Sequence, residues 1–346
     1  MITRRQALQS TAIGGLALGF PHVLRAQQTI ELKLSHFLPT SNGMHYDFME
    51  PWARDLEART DGRIRVTIHP GGTPLGNVAK QYDQVRAGVV DIAHGLHGIP
   101  SGRFPRTSVI DLPFMTESAD AATRALWALH DRFFAVEYPG VKVLAVHAHN
   151  GGLVHTRDRK VETMEDLKGL RIRFPSAAIK MMLEYLGAVP VGLPPSQIYE
   201  SLQKGVIDGL VMPWDPMYSF KLAELIDFHL DARAYTVSFY FVMNRRRYDS
   251  LPEELRAAVD SISGDNLIPK FGPWWNAWDD LGKKAALADG GVVTRLSNEE
   301  RARWRETLGP MIDAYLDGLA AQGVENPRAI YEALRAEIDA LETGKG

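Results

Sequence analysis

Two short stretches of this chain are built to one plan. Gln84-Val85-Arg86-Ala87-Gly88-Val89-Val90-Asp91 closes a helix, turns on a glycine and enters a strand. Ser201-Leu202-Gln203-Lys204-Gly205-Val206-Ile207-Asp208 does the same further along. In each, the glycine takes the left-handed position that ends a helix, and two β-branched residues favour the extended chain that follows. Each stretch sits at a matching point of an α/β region. The chain therefore reads as two similar α/β units, and 346 residues are enough for two domains of ordinary size.

In the first unit, Ile30-Glu31-Leu32-Lys33-Leu34-Ser35 alternates apolar and polar residues as a strand does. A helix over 45–59, a strand over 63–69, a helix over 77–87 and a buried strand over 89–94 follow. This β-α-β-α-β order predicts a mostly parallel sheet covered by helices. A helix over 119–134 and a strand over 141–147 lead to Asn150-Gly151-Gly152, the first candidate crossing between lobes. The aromatic and β-branched run 234–243 is the second. Beyond it, 251–287 and 298–341 carry helical patterns.

The second unit holds the best candidate site. Thr163 and Asp166 have capping-box spacing, and Gly169 ends that short helix. A strand over 170–174 carries Arg171 and Arg173 and runs into Pro175-Ser176, the start of a helix over 177–186. Ser196 is placed as the cap of the next helix, and 207–212 as the next strand. A guanidinium at a strand end beside a helix N-terminus suits a carboxylate, because its planar fork meets both oxygens. Arg171 shares a face with Arg173 by period two; its plain role is to pair with a nearby acid at the surface.

Composition removes several functions. A net charge of −3 offers no basic field for nucleic acid. With no cysteine there is no disulfide, thiolate catalysis or cysteine metal site. The start, Thr3-Arg4-Arg5-Gln6-Ala7-Leu8, precedes a short apolar run over 11–20 and the small-residue point Leu24-Arg25-Ala26. That pattern is an export signal over 1–26, similar to a twin-arginine signal. The mature chain then begins near Gln27 and acts outside the cytoplasm.

The order of elements resembles the substrate-binding proteins of tripartite ATP-independent periplasmic (TRAP) transporters. The resemblance rests on Asp166-Leu167-Lys168-Gly169-Leu170-Arg171-Ile172-Arg173-Phe174-Pro175 and on Tyr199-Glu200-Ser201-Leu202-Gln203-Lys204-Gly205-Val206-Ile207-Asp208-Gly209. It implies an α/β, two-lobed periplasmic binding protein of type II-like form, with two crossing strands and a long helix bracing both lobes. Lobe I would take 27–150 and about 241–277; lobe II would take about 151–240 and 278–346 with the C-terminal helices. The cargo would be an organic acid, handed to a membrane permease driven by an ion gradient, by a monomeric receptor that is not an enzyme and needs no cofactor. Arg173 falls where the family has its carboxylate-binding arginine, Ser176 on the next contact, and Asn150 near a further polar contact. Leu153 and Val154 stand where some members carry a second arginine. Leu210-Val211-Met212-Pro213-Trp214-Asp215 replaces the polar residues many members use. Met212 and Trp214 would then wall a site for a monocarboxylate with an apolar or aromatic body. Asp215, His36, His97 and Tyr240 complete the candidate ligand contacts.

Two rival functions share this shape. An exported enzyme is one, although no nucleophile elbow, His-Glu zinc helix or dinucleotide glycine pattern occurs. A metal-delivery protein using His94, His97, His147, His149 and His155 is the other, although none lies in a zinc motif. No metal is expected. The binding proteins of ATP-driven importers fit less well, because the last third here is helical.

Overall fold

The structure, a computed structural model, describes residues 29–344. The expected export signal lies outside the described residues. The strands are β1 (Ile30–Ser35), β2 (Ile64–His69), β3 (Ile92–Leu96), β4 (Val141–Ala148), β5 (Leu153–Thr156), β6 (Arg171–Phe174), β7 (Val189–Gly192), β8 (Gly209–Met212), β9 (Phe228–Asp231), β10 (Ser238–Asn244) and β11 (Val292–Arg295). They form two sheets, one per lobe, in the orders β2-β1-β3-β10-β4 and β11-β9-β5-β8-β6-β7.

Each sheet is parallel except for one strand. In the first, β10 runs antiparallel to both β3 and β4. In the second, β5 runs antiparallel to both β8 and β9. Both exceptions are strands that enter from the other lobe, so each arrives running against its neighbours. The crossings also bond to each other: Gly152 N–H donates to Tyr235 O at 2.6 Å and His149 N–H to Val237 O at 3.3 Å.

The two echoing stretches match bond for bond. Gly88 and Gly205 both have positive φ, 75° and 66°. Val89 N–H donates to Gln84 O, and Val206 N–H to Ser201 O. Asp91 N–H donates to Lys33 O while its carboxylate accepts from Lys33 N–H. Asp208 makes the same pair of bonds with Arg171, and its carboxylate also holds the Arg171 guanidinium. That is the surface partnership expected for Arg171.

Several expected elements shift. Val89 is exposed in the turn, so β3 begins at Ile92 rather than 89. Ser196 lies inside the 3₁₀ turn Pro195–Gln197 and caps nothing. The strands β9 and β11 were not expected. Each is four residues long, and β11 pairs with β9 from within the otherwise helical last third.

The long helix Phe271–Ala288 joins the lobes. It packs on helix Ala119–Ala128 of the first and on the short helix Asp215–Ser219 of the second. A Cβ at Gly272 would lie 2.6 Å from the Asp120 Cβ, and one at Gly282 would lie 2.9 Å from Asp215 N. Glycine at each point lets the backbone approach one lobe closely. Its rings Trp275 and Trp278 are buried.

The lobes touch in front of this brace. Ser41 Oγ donates to Ser219 O at 2.8 Å, and Asn42 Nδ2 donates to Asp215 Oδ2 at 2.6 Å. Gly98 of the first lobe lies against the second, where a Cβ would fall 2.6 Å from Pro175 O and 2.7 Å from the Ser176 Cβ. That clash exists only while the lobes touch. Gly98→Ala should therefore oppose closure by about 1–3 kcal/mol, the usual cost of overpacking. Ligand affinity should fall by about tenfold while the melting temperature without ligand stays within about 1 °C. Titration calorimetry and thermal unfolding check this, and unchanged affinity would refute it.

Candidate functional site

Arg173 is fixed from both sides, opposite Val191 of β7 and Leu210 of β8. Its side chain is 1% exposed. Nε donates to Leu193 O at 3.0 Å, whereas Nη2 has no partner. No acid forms an ion pair with it among the described residues. Burial lowers its pKa to about 10, with the nearby Tyr235 opposing, so it remains a cation at neutral pH. The Tyr235 hydroxyl is buried beside it and also has no partner. Burial pushes that hydroxyl well above its ordinary value, which keeps it a neutral donor.

Arg173 and Tyr235, which carry these donors, both line one cavity between the lobes, with about 490 Å³ of atom-free space that is in part open to solvent. Its wall is apolar and aromatic: Phe37, Met212, Phe220, Phe239 and Trp275 line it, with a run of prolines. Phe37, Pro175 and Pro195 also line a wider groove, so the cavity opens towards the mouth between the lobes. A cation and a phenol facing an apolar chamber can bind a carboxylate on an apolar body. A larger charged cleft lies near the crossings. There Arg233 pairs with Asp231 and Arg335 with Asp339, and the lining mixes both signs of charge.

Of the residues picked from sequence, Arg173, Met212 and Asp215 line the cavity. Six do not, and each has a visible reason. Ser176 occupies the N-cap position of helix Ala177–Tyr185, yet its hydroxyl makes no capping bond and lines the neighbouring groove. Asn150 clamps the crossing: Oδ1 accepts from Ala119 N–H, and Nδ2 donates to Asp279. Trp214 turns away and packs on His155 and His229. His36 is bonded to His45, and His97 lies between Ser238 and Tyr138. Tyr240 packs on the other face of β10 with Tyr82 and Phe104.

The sequence reading singled out none of Tyr235, Phe239, Trp275 and Asn42 as a ligand contact, and all four line the cavity. One signal for Tyr235 was present. A Cβ at Gly152 would meet the Tyr235 ring, its hydroxyl oxygen only 2.6 Å away. Gly152, the second glycine after Asn150, makes room for that ring.

Three buried carboxyls stand near the lobe contact. Burial raises Asp111 to about 8, with the Ser176 hydroxyl opposing, although neither Asp111 oxygen has a hydrogen-bond partner. Burial raises Asp215 to about 7 and Asp279 to about 6. Burial also lowers His36 and His97 to about 3 and His149 and His229 to about 4. A raised carboxyl stabilises the fold below its unfolded pKa and loses that contribution as pH climbs through the folded value. A lowered histidine contributes above about 6.5 and loses its contribution as pH falls. The two sets oppose each other between about pH 4 and 6.5, and above that only the carboxyls change. Stability should therefore fall between pH 6.5 and 8.5, by up to about 1.4 kcal/mol per pH unit for each titrating carboxyl. Asp111→Asn should flatten this decline. Denaturant melts at several pH values test it, and an identical slope in the variant would contradict it.

Comparisons with known proteins bear on the fold and the family. The family model "Bacterial extracellular solute-binding protein, family 7" matches residues 34–317. A TRAP solute-binding protein from a marine metagenome, specific for aromatic acid ligands and solved with metahydroxyphenylacetate, is 35% identical. The match covers 90% of this chain and 98% of that one, with a TM-score of 0.86. A TRAP solute-binding protein from Rhodoferax ferrireducens T118, solved with copurified benzoate, is 33% identical over 92% of this chain and 100% of that one, with a TM-score of 0.87. The C4-dicarboxylate-binding periplasmic protein DctP of Rhodobacter capsulatus is 25% identical over 341 residues, 95% of this chain and 99% of its own. No helix among the described residues is long and apolar enough to cross a membrane. This chain belongs to the bacterial extracellular solute-binding proteins of family 7, the solute receptors of TRAP transporters.

Proposed function

We propose that this protein is an exported receptor that closes its two lobes on a small aromatic monocarboxylate and delivers it to a TRAP permease. One observation carries the reading. Arg173 and Tyr235, whose buried Nη2 and hydroxyl lack partners, both line one aromatic-walled cavity. A carboxylate would satisfy both, and Phe37, Phe239 and Trp275 would cover a flat ring. Lobe closure would strengthen the ion pair by excluding water. The benzoate and metahydroxyphenylacetate held by the two structural relatives support this class of ligand. The receptor makes and breaks no bond in this reading, works as a monomer, binds no nucleic acid and carries a cleavable signal over 1–26.

Arg173→Ala should leave the protein folded and weaken benzoate binding by well over tenfold, about 1.4 kcal/mol or more. Tyr235→Phe, which removes only the hydroxyl, should cost about tenfold, as expected for one hydrogen bond to a charged group. Titration calorimetry on the purified variants decides both. Native affinity in Arg173→Ala would sink the assignment.

A further inference from the structure

We propose that Asp215 reads a hydroxyl on the ligand, so that the cavity selects hydroxylated aromatic monocarboxylates and turns away a second carboxylate. This rests on the aromatic-acid reading above and adds what the far part of the ligand must carry.

The argument is a count of free polar atoms. The polar side chains in the cavity wall are Asn42, His149, Arg173, Asp215 and Tyr235. His149 is committed on both nitrogens: Nδ1–H donates to Asn150 O, and Nε2 accepts from Val237 N–H. Asn42 is committed too. Its Oδ1 accepts from Met44 N–H, and Nδ2 donates to Asp215 Oδ2 and to Ser219 Oγ. Arg173 and Tyr235 offer donors, which a carboxylate takes. Asp215 is what remains.

Asp215 is 4% exposed and lines the cavity. Its Oδ2 accepts from Asn42 and Ser219, whereas Oδ1 has no hydrogen bond among the described residues. No lysine or arginine there forms an ion pair with it. A second carboxylate stands behind it, since Asp215 N–H donates to Asp279 Oδ1 at 3.0 Å. The wall is therefore asymmetric, with donors at Arg173 and Tyr235 and an acceptor at Asp215. A ligand O–H supplies the donor that Oδ1 lacks. A second anionic group would meet Asp215 with Asp279 behind it; among the described residues neither carboxyl is ion-paired, and Arg233 acts on Asp279 only at a distance. Attraction for one class and repulsion for another together make specificity. A site built to bond a ligand hydroxyl discriminates strongly against the analogue without it.

The test compares benzoate, 3-hydroxybenzoate, 4-hydroxybenzoate and benzene-1,3-dicarboxylate by titration calorimetry at pH 8, where an Asp215 raised to about 7 is mostly ionised. The proteins are the native chain, Asp215→Ala, Asp215→Asn and Ser41→Ala. In the native chain the better hydroxybenzoate should bind about tenfold or more tighter than benzoate, the scale of one hydrogen bond to a charged group. The dicarboxylate should bind about tenfold or more weaker than benzoate. Asp215→Ala should bring the hydroxyl preference to within about threefold, and Asp215→Asn, of the same shape without the charge, should recover dicarboxylate binding. Ser41→Ala removes an interlobe bond that does not involve Asp215, and it should weaken all ligands alike, leaving the hydroxyl preference intact. A hydroxyl preference equal in the native chain and in Asp215→Ala overturns the proposal. So does a dicarboxylate bound by the native chain as well as benzoate. Should Asp215→Ala not fold, Asp215→Asn alone decides, and a dicarboxylate affinity unmoved in it counts against the proposal. If benzoate binding depends on Arg173 while these ratios fail, only this inference falls. If no acid binds the native chain, the receptor reading falls with it.

Discussion

Burying a guanidinium without a carboxylate costs several kcal/mol even after the protein relaxes. Arg173 is buried to 1% exposure with one nitrogen unpartnered, so the scaffold carries that cost. It can do so because Arg173 sits in the middle of a sheet, bonded into strands on both sides. A loop arginine would swing out to water. The Leu193 carbonyl satisfies Nε and fixes the plane of the fork. What is left unsatisfied belongs to a residue that lines the cavity between the lobes. The destabilised cation is thus the source of affinity, because an incoming carboxylate recovers what folding gave up.

The site is tied to the hinge by one polar chain. Asn150, on the first crossing, donates to Asp279 of the long helix. Asp279 accepts from the backbone amide of Asp215, and Asp215 accepts from Asn42 of the other lobe. Four residues therefore link the crossing, the brace, the cavity wall and the opposite lobe. The residue that bonds across the cleft is also the one proposed to meet the ligand hydroxyl. Closure and ligand contact share Asp215, so changes at this position act on both, and only ratios between ligands isolate its direct contact.

The two lobes and their parallel sheets were legible because they rest on periodicity and on helix-Gly-strand turns repeated twice. Arg173 was legible for a related reason: a strand that runs into a helix start has a defined end. The misses have a pattern. His36, Asn150, Trp214, His97 and Tyr240 do not line the cavity, yet Phe37, His149, Asp215, Leu96 and Phe239, each one residue away, do. Successive side chains of an extended chain point to opposite faces. A sequence can place the segment at the site, but the choice of face depends on register, which is set by long-range pairing. In the second crossing Tyr235, Val237 and Phe239 share the cavity face, while Tyr240 falls on the other.

The histidines show how far the aromatic wall is positioned by atoms behind it. Indole N–H is a donor only, so Trp275 Nε1–H, 3.3 Å from His147 Nδ1, fixes that nitrogen as an acceptor. A neutral His147 then carries its proton on Nε2 and donates to His94 Nε2 at 2.9 Å. His94 in turn carries its proton on Nδ1, the buried nitrogen that has no partner. The same logic runs from Leu38 N–H through His36 to His45 and Glu50, and from His229 through His155 to the Met212 carbonyl. Burial holds His94, His147 and His155 well below the usual histidine range, so these three rings stay neutral. Their nitrogens are spent on direction: one orients Trp275, one anchors the loop beside Phe37, and one holds the Met212 backbone. Each ends at a residue of the cavity wall or beside one. Phenylalanine could fill the same volumes, but it would leave Trp275 with a buried N–H and no acceptor, and the ring that walls the ligand would lose its fixed orientation.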